Sequence, residues 1–263
     1  MQIPTQQIYG LDFINIDDSE MLADHFIDQA RTGGSGAVIT PNTDILVTLA
    51  DDRSGRLRKM CESAKYVLPD GQPLVWGSRL LGRPLQTRVT GSGIFELMWP
   101  KIKKHEIQIS MLVARESVEE FFAEDYWRVN FEIPDSFDAN DEVAIGQVVE
   151  SLTKKASFND SRIVLLGLGF EKNTIIGHRL LEAWSNFSTA GPPLVMGFGA
   201  AMEMYSGHRR RAPNWVQRAG MEWFFRFVQE PRRLFSRYFV RGPRFAKVLW
   251  DERQVLALSL IHI

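Results

Sequence analysis

The carboxylate of Asp70 lies in the segment Val-Leu-Pro-Asp-Gly at residues 67–71, directly after a short apolar run and between a proline and a glycine. A carboxylate held in a rigid turn at a strand end has a fixed direction and is partly desolvated, and partial desolvation makes it more basic. Those are the properties that a general base needs. The alternative is a turn aspartate that caps the helix expected to begin at Pro73. Spacing alone leaves both interpretations open.

A second strand end is followed by Thr-Pro-Asn-Thr-Asp at residues 40–44. The hydroxyl of Thr40 and the amide of Asn42 suit a hydroxylated or diphosphate ligand at a helix N-terminus, where backbone N–H groups point outward. Simple N-capping by Asn42 or Thr43 explains the same pattern equally well.

Two loops of small residues are candidate diphosphate sites. Arg88 precedes Thr90 and Gly91 in a loop that opens a helix, and a guanidinium beside exposed N–H groups forms a cradle for a diphosphate. Gly167 and Gly169 follow another apolar run and resemble half of a dinucleotide fingerprint, without its third glycine. The first loop lacks the Lys-Ser/Thr of a Walker loop. We expect all five residues to contact substrate, but a Rossmann oxidoreductase is poorly supported.

Other chemistries lack their motifs. The sequence contains no Asp-x-Asp and no Gly-x-Ser-x-Gly, and its five histidines have no metal-ligand spacing. We therefore expect neither a metal site nor a cofactor.

The elements that must position these residues alternate between strands and helices. Short apolar or β-branched runs predict strands at residues 8–13, 37–40, 66–68, 107–113, 163–166 and 194–197. Amphipathic stretches predict helices at residues 19–31, 44–63, 73–81, 93–104, 117–125, 141–156 and 172–187. This alternation predicts an α/β fold with a mostly parallel sheet and helices on both faces, in which the carboxyl ends of the strands hold the ligand.

The composition changes after residue 200. The stretch 207–253 contains twelve Lys/Arg against four Asp/Glu, interleaved with aromatic residues, although the net charge of the whole chain is only -1. Such a stretch can bind nucleic acid, lie on a membrane, or close over a diphosphate, and its dense rings favour a membrane over nucleic acid. We expect an α/β domain over residues 1–200 and a basic aromatic helical appendage over residues 201–263.

The location of the protein is also suggested by sequence. The N-terminus has no signal-peptide pattern, no apolar window of about 18 residues occurs, and Cys61 is the single cysteine. A cytoplasmic protein is expected.

In this order, the motifs resemble the WecG/TagA/CpsF glycosyltransferases, glycosyltransferase family 26. The resemblance runs over nearly the whole chain and is carried by four blocks: TPNTD at 40–44, YVLPDGQPLVWGSRLLGRPLQTRVTGS at 66–92, GLG at 167–169, and RRAPNWVQRAGMEWFFRFVQEPRRLFSRY at 210–238. The second and fourth blocks are long and specific.

The resemblance implies transfer of a hexose, with inversion, from a UDP-sugar to a sugar on polyprenyl diphosphate. The protein would be peripheral at the cytoplasmic face of the membrane, with no nucleic-acid partner. Asp70 corresponds to the family's general base, Thr40 to a residue next to the acceptor or nucleotide, and Arg88 to the arginine of the RVTGS motif. Appendage residues implied to reach the diphosphate are Arg210, Arg211, Arg218, Arg226, Arg232 and Arg233. The oligomeric state stays open, and a homo-oligomer is one option.

Several segments depart from the family pattern at strand ends, where the donor should lie. Residues 113–116 replace a Gly-Gly loop, Gly93 replaces an aspartate, and Asn173 and Glu203 stand in altered segments that we expect to contact substrate. These changes favour a branch similar to the xanthan-type enzyme GumM, with UDP-glucose as the donor, in exopolysaccharide assembly. The alternatives are an N-acetylmannosamine transferase for a wall or capsule linkage unit, and a non-catalytic relative that binds lipid-diphosphate sugars.

Overall fold

The central element of the protein is a mostly parallel sheet. The computed structural model describes residues 3–186, 191–209, 212–213, 216 and 221–261. Within them, eight strands pair in the order β1-β2-β4-β3-β8-β7-β5-β6, and all neighbours are parallel except β1 and β2. The strands are β1 Thr5–Ile8, β2 Leu11–Ile14, β3 Gly36–Ile39, β4 Tyr66–Val67, β5 Ile109–Leu112, β6 Val129–Glu132, β7 Ile163–Leu166 and β8 Leu194–Met196. The predicted α/β class is confirmed.

Helices cover both faces of this sheet. Those of the main body are α1 Ser19–Arg31, α2 Thr43–Asp51, α3 Arg56–Glu62, α4 Gln72–Leu80, α5 Gly91–Lys104, α6 Glu116–Asp125, α7 Glu142–Phe158, α8 Phe170–Ala183 and α9 Ala201–Tyr205. Helices α1, α5, α6 and α9 build the core on one face, while α2, α3 and α4, and separately α7 and α8, pack on the other. Both faces of the sheet are therefore covered by helices.

Two elements that were predicted to be continuous are each divided in the structure. The strand expected at residues 8–13 is a hairpin, because Tyr9 and Gly10 have φ values of 57° and 72° and form a two-residue turn between Ile8 and Leu11. The helix expected at residues 44–63 is broken between α2 and α3, where Gly55 takes a left-handed φ of 67°.

After α9, the described part of the C-terminal region is helical. It contains α10 Glu222–Gln229, α11 Pro231–Phe235, a π-helical turn Ser236–Arg241, a 3-10 turn Gly242–Arg244 and α12 Phe245–Ile261. Along the part of the chain that the structure describes, no helix is long and apolar enough to cross a bilayer. The division expected at residue 200 stays a prediction, and α9 itself packs into the core beside α5.

Helix α12 is fastened to the main body. Phe245 is buried in the core formed by α2, α3 and α4. Around it, the Arg241 guanidinium lies 3.3 Å from the Asp44 carboxylate, and the backbone N–H of Tyr9 donates to the Glu252 carboxylate at 2.7 Å. These contacts join the end of the described chain to the first hairpin and to α2.

Candidate active site

A cavity of about 750 Å³ opens at the carboxyl ends of β3, β4, β7 and β8. This is the edge at which parallel α/β sheets bind ligands. Seven of the residues predicted from sequence line it: Thr40, Asn42, Asp70, Gly167, Gly169, Asn173 and Glu203. Residues that are far apart in sequence therefore line one cavity.

Asp70 stands on a loop whose backbone is fixed from two sides. The Asp70 N–H donates to the Pro41 carbonyl at 2.9 Å, and the Val89 N–H donates to the Pro69 carbonyl at 2.9 Å. The N-cap of α4 is Gly71, whose φ of 145° a side chain would strain. The carboxylate thus sits half-buried at the cavity wall, with its main chain tied to both neighbouring loops.

Two of the predicted contacts also cap helices. The Asn42 side-chain oxygen accepts from the Ile45 N–H at 3.1 Å, and the Thr90 hydroxyl accepts from the Gly93 N–H at 3.0 Å. The capping interpretation is therefore correct for Asn42, and the cap at Thr90 was not predicted. Their contact with substrate stays a prediction.

The loop of Arg88, Thr90 and Gly91 lies beside the cavity, and none of the three is among the lining residues. A Cβ on Gly91 would stand 3.2 Å from the Thr40 methyl group and 3.1 Å from the Phe198 ring, so this loop touches the Thr40 loop directly. Ser92 is the member of the loop that lines the cavity.

The side chain of Asn173 is hydrogen-bonded to the backbone of the glycine turn at residues 167–169. The Asn173 oxygen accepts from the Leu168 N–H at 3.0 Å, and its amide nitrogen donates to the Leu166 carbonyl at 2.9 Å. Asn173 is buried, and this pair of bonds ties it to the turn. We therefore assign it the positioning of the turn, whereas its contact with substrate stays a prediction.

The N-terminus of α8 faces the cavity immediately after this turn. Gly169 is its N-cap, has no side chain to bond the first N–H groups, and has open space where a Cβ would stand. Backbone N–H groups at a helix N-terminus, together with the positive end of the helix dipole, bind phosphate. The binding of a diphosphate at this helix end stays a prediction.

A charged network joins the main body to the C-terminal region at the cavity. The Glu203 carboxylate lies 3.6 Å from Arg115 and 3.3 Å from Arg209, and Arg209 lies 3.4 Å from Glu230. Arg209, Glu230 and Leu234 all line the cavity. The segment of α10 and α11 thus supplies one wall of the site.

Arg209 lines the cavity but was not predicted from sequence. It is the first of the three consecutive arginines at residues 209–211, of which only the second and third had been selected. Its ion pairs reach carboxylates before and after it in sequence, and no spacing rule contains that information.

The other appendage arginines are less defined. Arg210, Arg211 and Arg218 lie outside the described residues. Arg226 and Arg233 belong to α10 and α11, and Arg232 is exposed and is not among the residues that line the cavity. Their role at a diphosphate stays a prediction.

The described part of the chain also contains metal-ligating residue types and a single thiol, that of Cys61. Among the described residues, no group of three or more His, Cys, Asp or Glu side chains is placed to hold a metal ion. Burial raises the pKa of the Cys61 thiol to about 12, so Cys61 is a core residue and not a nucleophile at neutral pH.

Comparisons with known proteins identify the family of the chain. Residues 6–257 match the model of the glycosyl transferase WecG/TagA/CpsF family. The chain is 26% identical over 234 residues to an N-acetylglucosaminyldiphosphoundecaprenol N-acetyl-β-D-mannosaminyltransferase of Bacillus subtilis (strain 168), covering 87% of this chain and 85% of that protein. A protein of the same name from Bacillus spizizenii (strain ATCC 23059 / NRRL B-14472 / W23) is 25% identical over 235 residues, with the same coverage. The chain therefore belongs to the WecG/TagA/CpsF family of glycosyltransferases.

Proposed function

We propose that the protein transfers an N-acetylmannosaminyl group from a UDP donor to an N-acetylglucosaminyl diphosphoundecaprenol acceptor. Both relatives carry that acceptor and that sugar in their names, and each is matched along most of its length. These relatives favour N-acetylmannosamine over the UDP-glucose suggested by the altered strand ends, and they give no support to the xanthan-type branch. The observation that carries the proposal is that Asp70 and the N-terminus of α8 line the same cavity.

The chemistry follows from these two groups. The Asp70 carboxylate accepts the proton of the acceptor hydroxyl while that oxygen forms a bond to the anomeric carbon of the donor sugar. The bond from the anomeric carbon to the diphosphate oxygen breaks on the opposite face, so the configuration inverts and UDP departs. The N–H groups of Gly169 and the first turn of α8 stabilise the negative charge that develops on the diphosphate.

The C-terminal region has the complementary task of holding the lipid-linked acceptor. Its arginines supply cations for a diphosphate, and its exposed rings suit a bilayer surface. Exposed apolar side chains of this region are Met221, Phe224, Val228, Phe235, Phe239, Val240, Trp250, Val255 and Leu258. We infer a peripheral position at the inner face of the cell membrane, with the residues from 201 onward acting as membrane contact and as a lid.

The proposal is tested by a transfer assay with labelled UDP-N-acetylmannosamine and UDP-glucose in parallel. Acceptors are N-acetylglucosaminyl- and glucosyl-diphosphopolyprenol, and the proteins are wild type, Asp70→Asn and Asp135→Asn. Asp135 is an exposed carboxylate outside the cavity and is the matched control. We expect transfer from UDP-N-acetylmannosamine, a loss of roughly 100- to 10,000-fold in Asp70→Asn and no loss in the control.

Two other outcomes of the transfer assay would each contradict part of the proposal. Label that moves only from UDP-glucose to the glucosyl lipid would replace the donor and acceptor. Wild-type protein that binds the acceptor lipid but transfers neither sugar would identify a non-catalytic binding protein.

A further inference from the structure

The outward face of α4 carries large apolar side chains in water. Trp76 is 51% exposed and Leu80 is 83% exposed, and they lie one helical turn apart, so they project from the same side of the helix. The opposite side of α4, with Leu74 and Val75, is buried in the core. A tryptophan and a leucine that both remain exposed beside each other indicate a surface that is covered by something apolar.

The chain segment that carries this face has charged side chains of one sign. From residue 71 to residue 95 the chain contains three arginines and no Asp, Glu, Lys or His. Arg79 and Arg83 are exposed, and the Arg79 guanidinium donates to the Gln86 carbonyl at 3.3 Å. Basic side chains next to an exposed Trp and Leu are complementary to anionic lipid headgroups over an apolar interior.

Helix α12 lies beside this surface. It packs on α4 at Gly77, where a Cβ would stand 2.7 Å from the Leu249 side chain and 3.4 Å from the Phe245 ring. Trp250, the next residue along α12, is exposed. Tryptophan is enriched at membrane–water interfaces because its ring is apolar and its N–H remains hydrated.

The position of α4 connects this surface to the reaction. The helix begins at Gln72, two residues after Asp70. When α4 lies on a membrane, the distance between the candidate base and that membrane is therefore restricted. An acceptor sugar on a lipid diphosphate lies close to the bilayer plane.

We propose that the exposed face of α4, with Trp76 and Leu80, and Arg83 in the loop after it dock the α/β body itself on an anionic bilayer. The relevance to transfer rests on the proposed function, because only a lipid-linked acceptor requires it. The docking does not depend on the appendage alone, and it orients Asp70 toward the headgroup layer.

The test is vesicle flotation of the full chain with phosphatidylglycerol/phosphatidylethanolamine vesicles and with phosphatidylcholine vesicles. Trp76→Ser/Leu80→Ser is expected to weaken binding to the anionic vesicles about tenfold. Arg83→Gln is expected to reduce the preference for anionic vesicles about fivefold. The matched control is Trp127→Ser/Phe158→Ser, which removes exposed apolar side chains, 74% and 90% exposed, elsewhere on the molecule. Thermal unfolding of each variant checks that it is folded.

A second measurement separates docking from catalysis. For each variant, the transfer rate with acceptor in vesicles is divided by the rate with a water-soluble short-prenyl acceptor, and this ratio should fall about tenfold in the α4 variant only. Equal vesicle binding by the α4 variant and wild type would overturn the proposal, as would wild type that binds no vesicles. A change in sedimentation without a change in vesicle binding would also overturn it and identify a second copy of the chain on α4. Vesicle binding through α4 without transfer to either acceptor would instead refute the proposed function.

Discussion

Replacement of Gly167 by alanine should disturb the glycine turn at residues 167–169 without touching a charged group. A Cβ at this position would stand 2.7 Å from the terminal methyl group of Met202 and 3.0 Å from the Leu112 carbonyl oxygen. The methionine is flexible and can move. The carbonyl cannot, because it accepts the Gly167 N–H at 2.9 Å from the end of β5. The turn itself must therefore shift away from β5.

The magnitude follows from the cost of adding a methyl group to a packed site, about 1–3 kcal/mol. For a chain of this size we expect a fall in Tm of roughly 2–10 °C. The donor KM should rise more than the KM of the acceptor, since the turn leads into the α8 N-terminus. Thermal unfolding and initial rates with varied UDP-sugar measure both effects.

Gly146→Ala is the matched control. Gly146 lies in α7, is exposed, and has no atom within 4 Å of the position of a Cβ. Alanine should stabilise that helix by about 0.5–1 kcal/mol without a change in either KM. If Gly167→Ala keeps the wild-type Tm and donor KM, the inference that this turn is tightly packed and contacts the donor is refuted.

Three further substitutions probe the network around the cavity. Arg209→Gln should leave Glu203 and Glu230 without their shared cation. Protease cleavage in the C-terminal region should then become faster, while the Tm of the main unfolding transition falls little. Unchanged cleavage would contradict the inference that Arg209 joins the C-terminal region to the main body. Asn173→Ala removes both bonds to the glycine turn and should lower the free energy of unfolding by about 1 kcal/mol, measured by urea titration. The Leu168 N–H loses its partner, whereas the Leu166 carbonyl still accepts from the Gly199 N–H at 3.1 Å. Phe245→Ala should cost about 3 kcal/mol in the same titration, since the ring fills the core under α4, and a loss below 1 kcal/mol would mean that α12 does not stabilise the body.

Much of the site was predictable because parallel strands present their carboxyl ends at one edge. That rule alone places Thr40, Asp70 and Gly167 together, although they are far apart in sequence. Local signals were also sufficient for helix α1, whose predicted and observed bounds agree. Its N-cap is Asp18, which accepts from the Met21 N–H at 2.9 Å.

Other features depend on information that local patterns do not contain. The edge strand β6 is an exception: its residues Val129–Glu132 do alternate between apolar and polar side chains, and the strand was nevertheless not predicted. The Tyr9–Gly10 turn was missed because the apolar residues on both sides of it form one continuous run. The ion pairs of Arg209 depend on how α10 and α11 lie against α9, which is set by tertiary packing.

The bond between Tyr9 and Glu252 spans 243 positions of the chain and has a consequence for biosynthesis. Closing so long a loop costs entropy that local contacts do not recover, and contacts of this separation form late in folding. During translation, the first hairpin leaves the ribosome long before residue 252 exists. The core beneath α4, next to the candidate base, includes Phe245 and has Leu249 packed against it, so it is complete only after both residues have been synthesised. A nascent chain shorter than this therefore has an incompletely packed site.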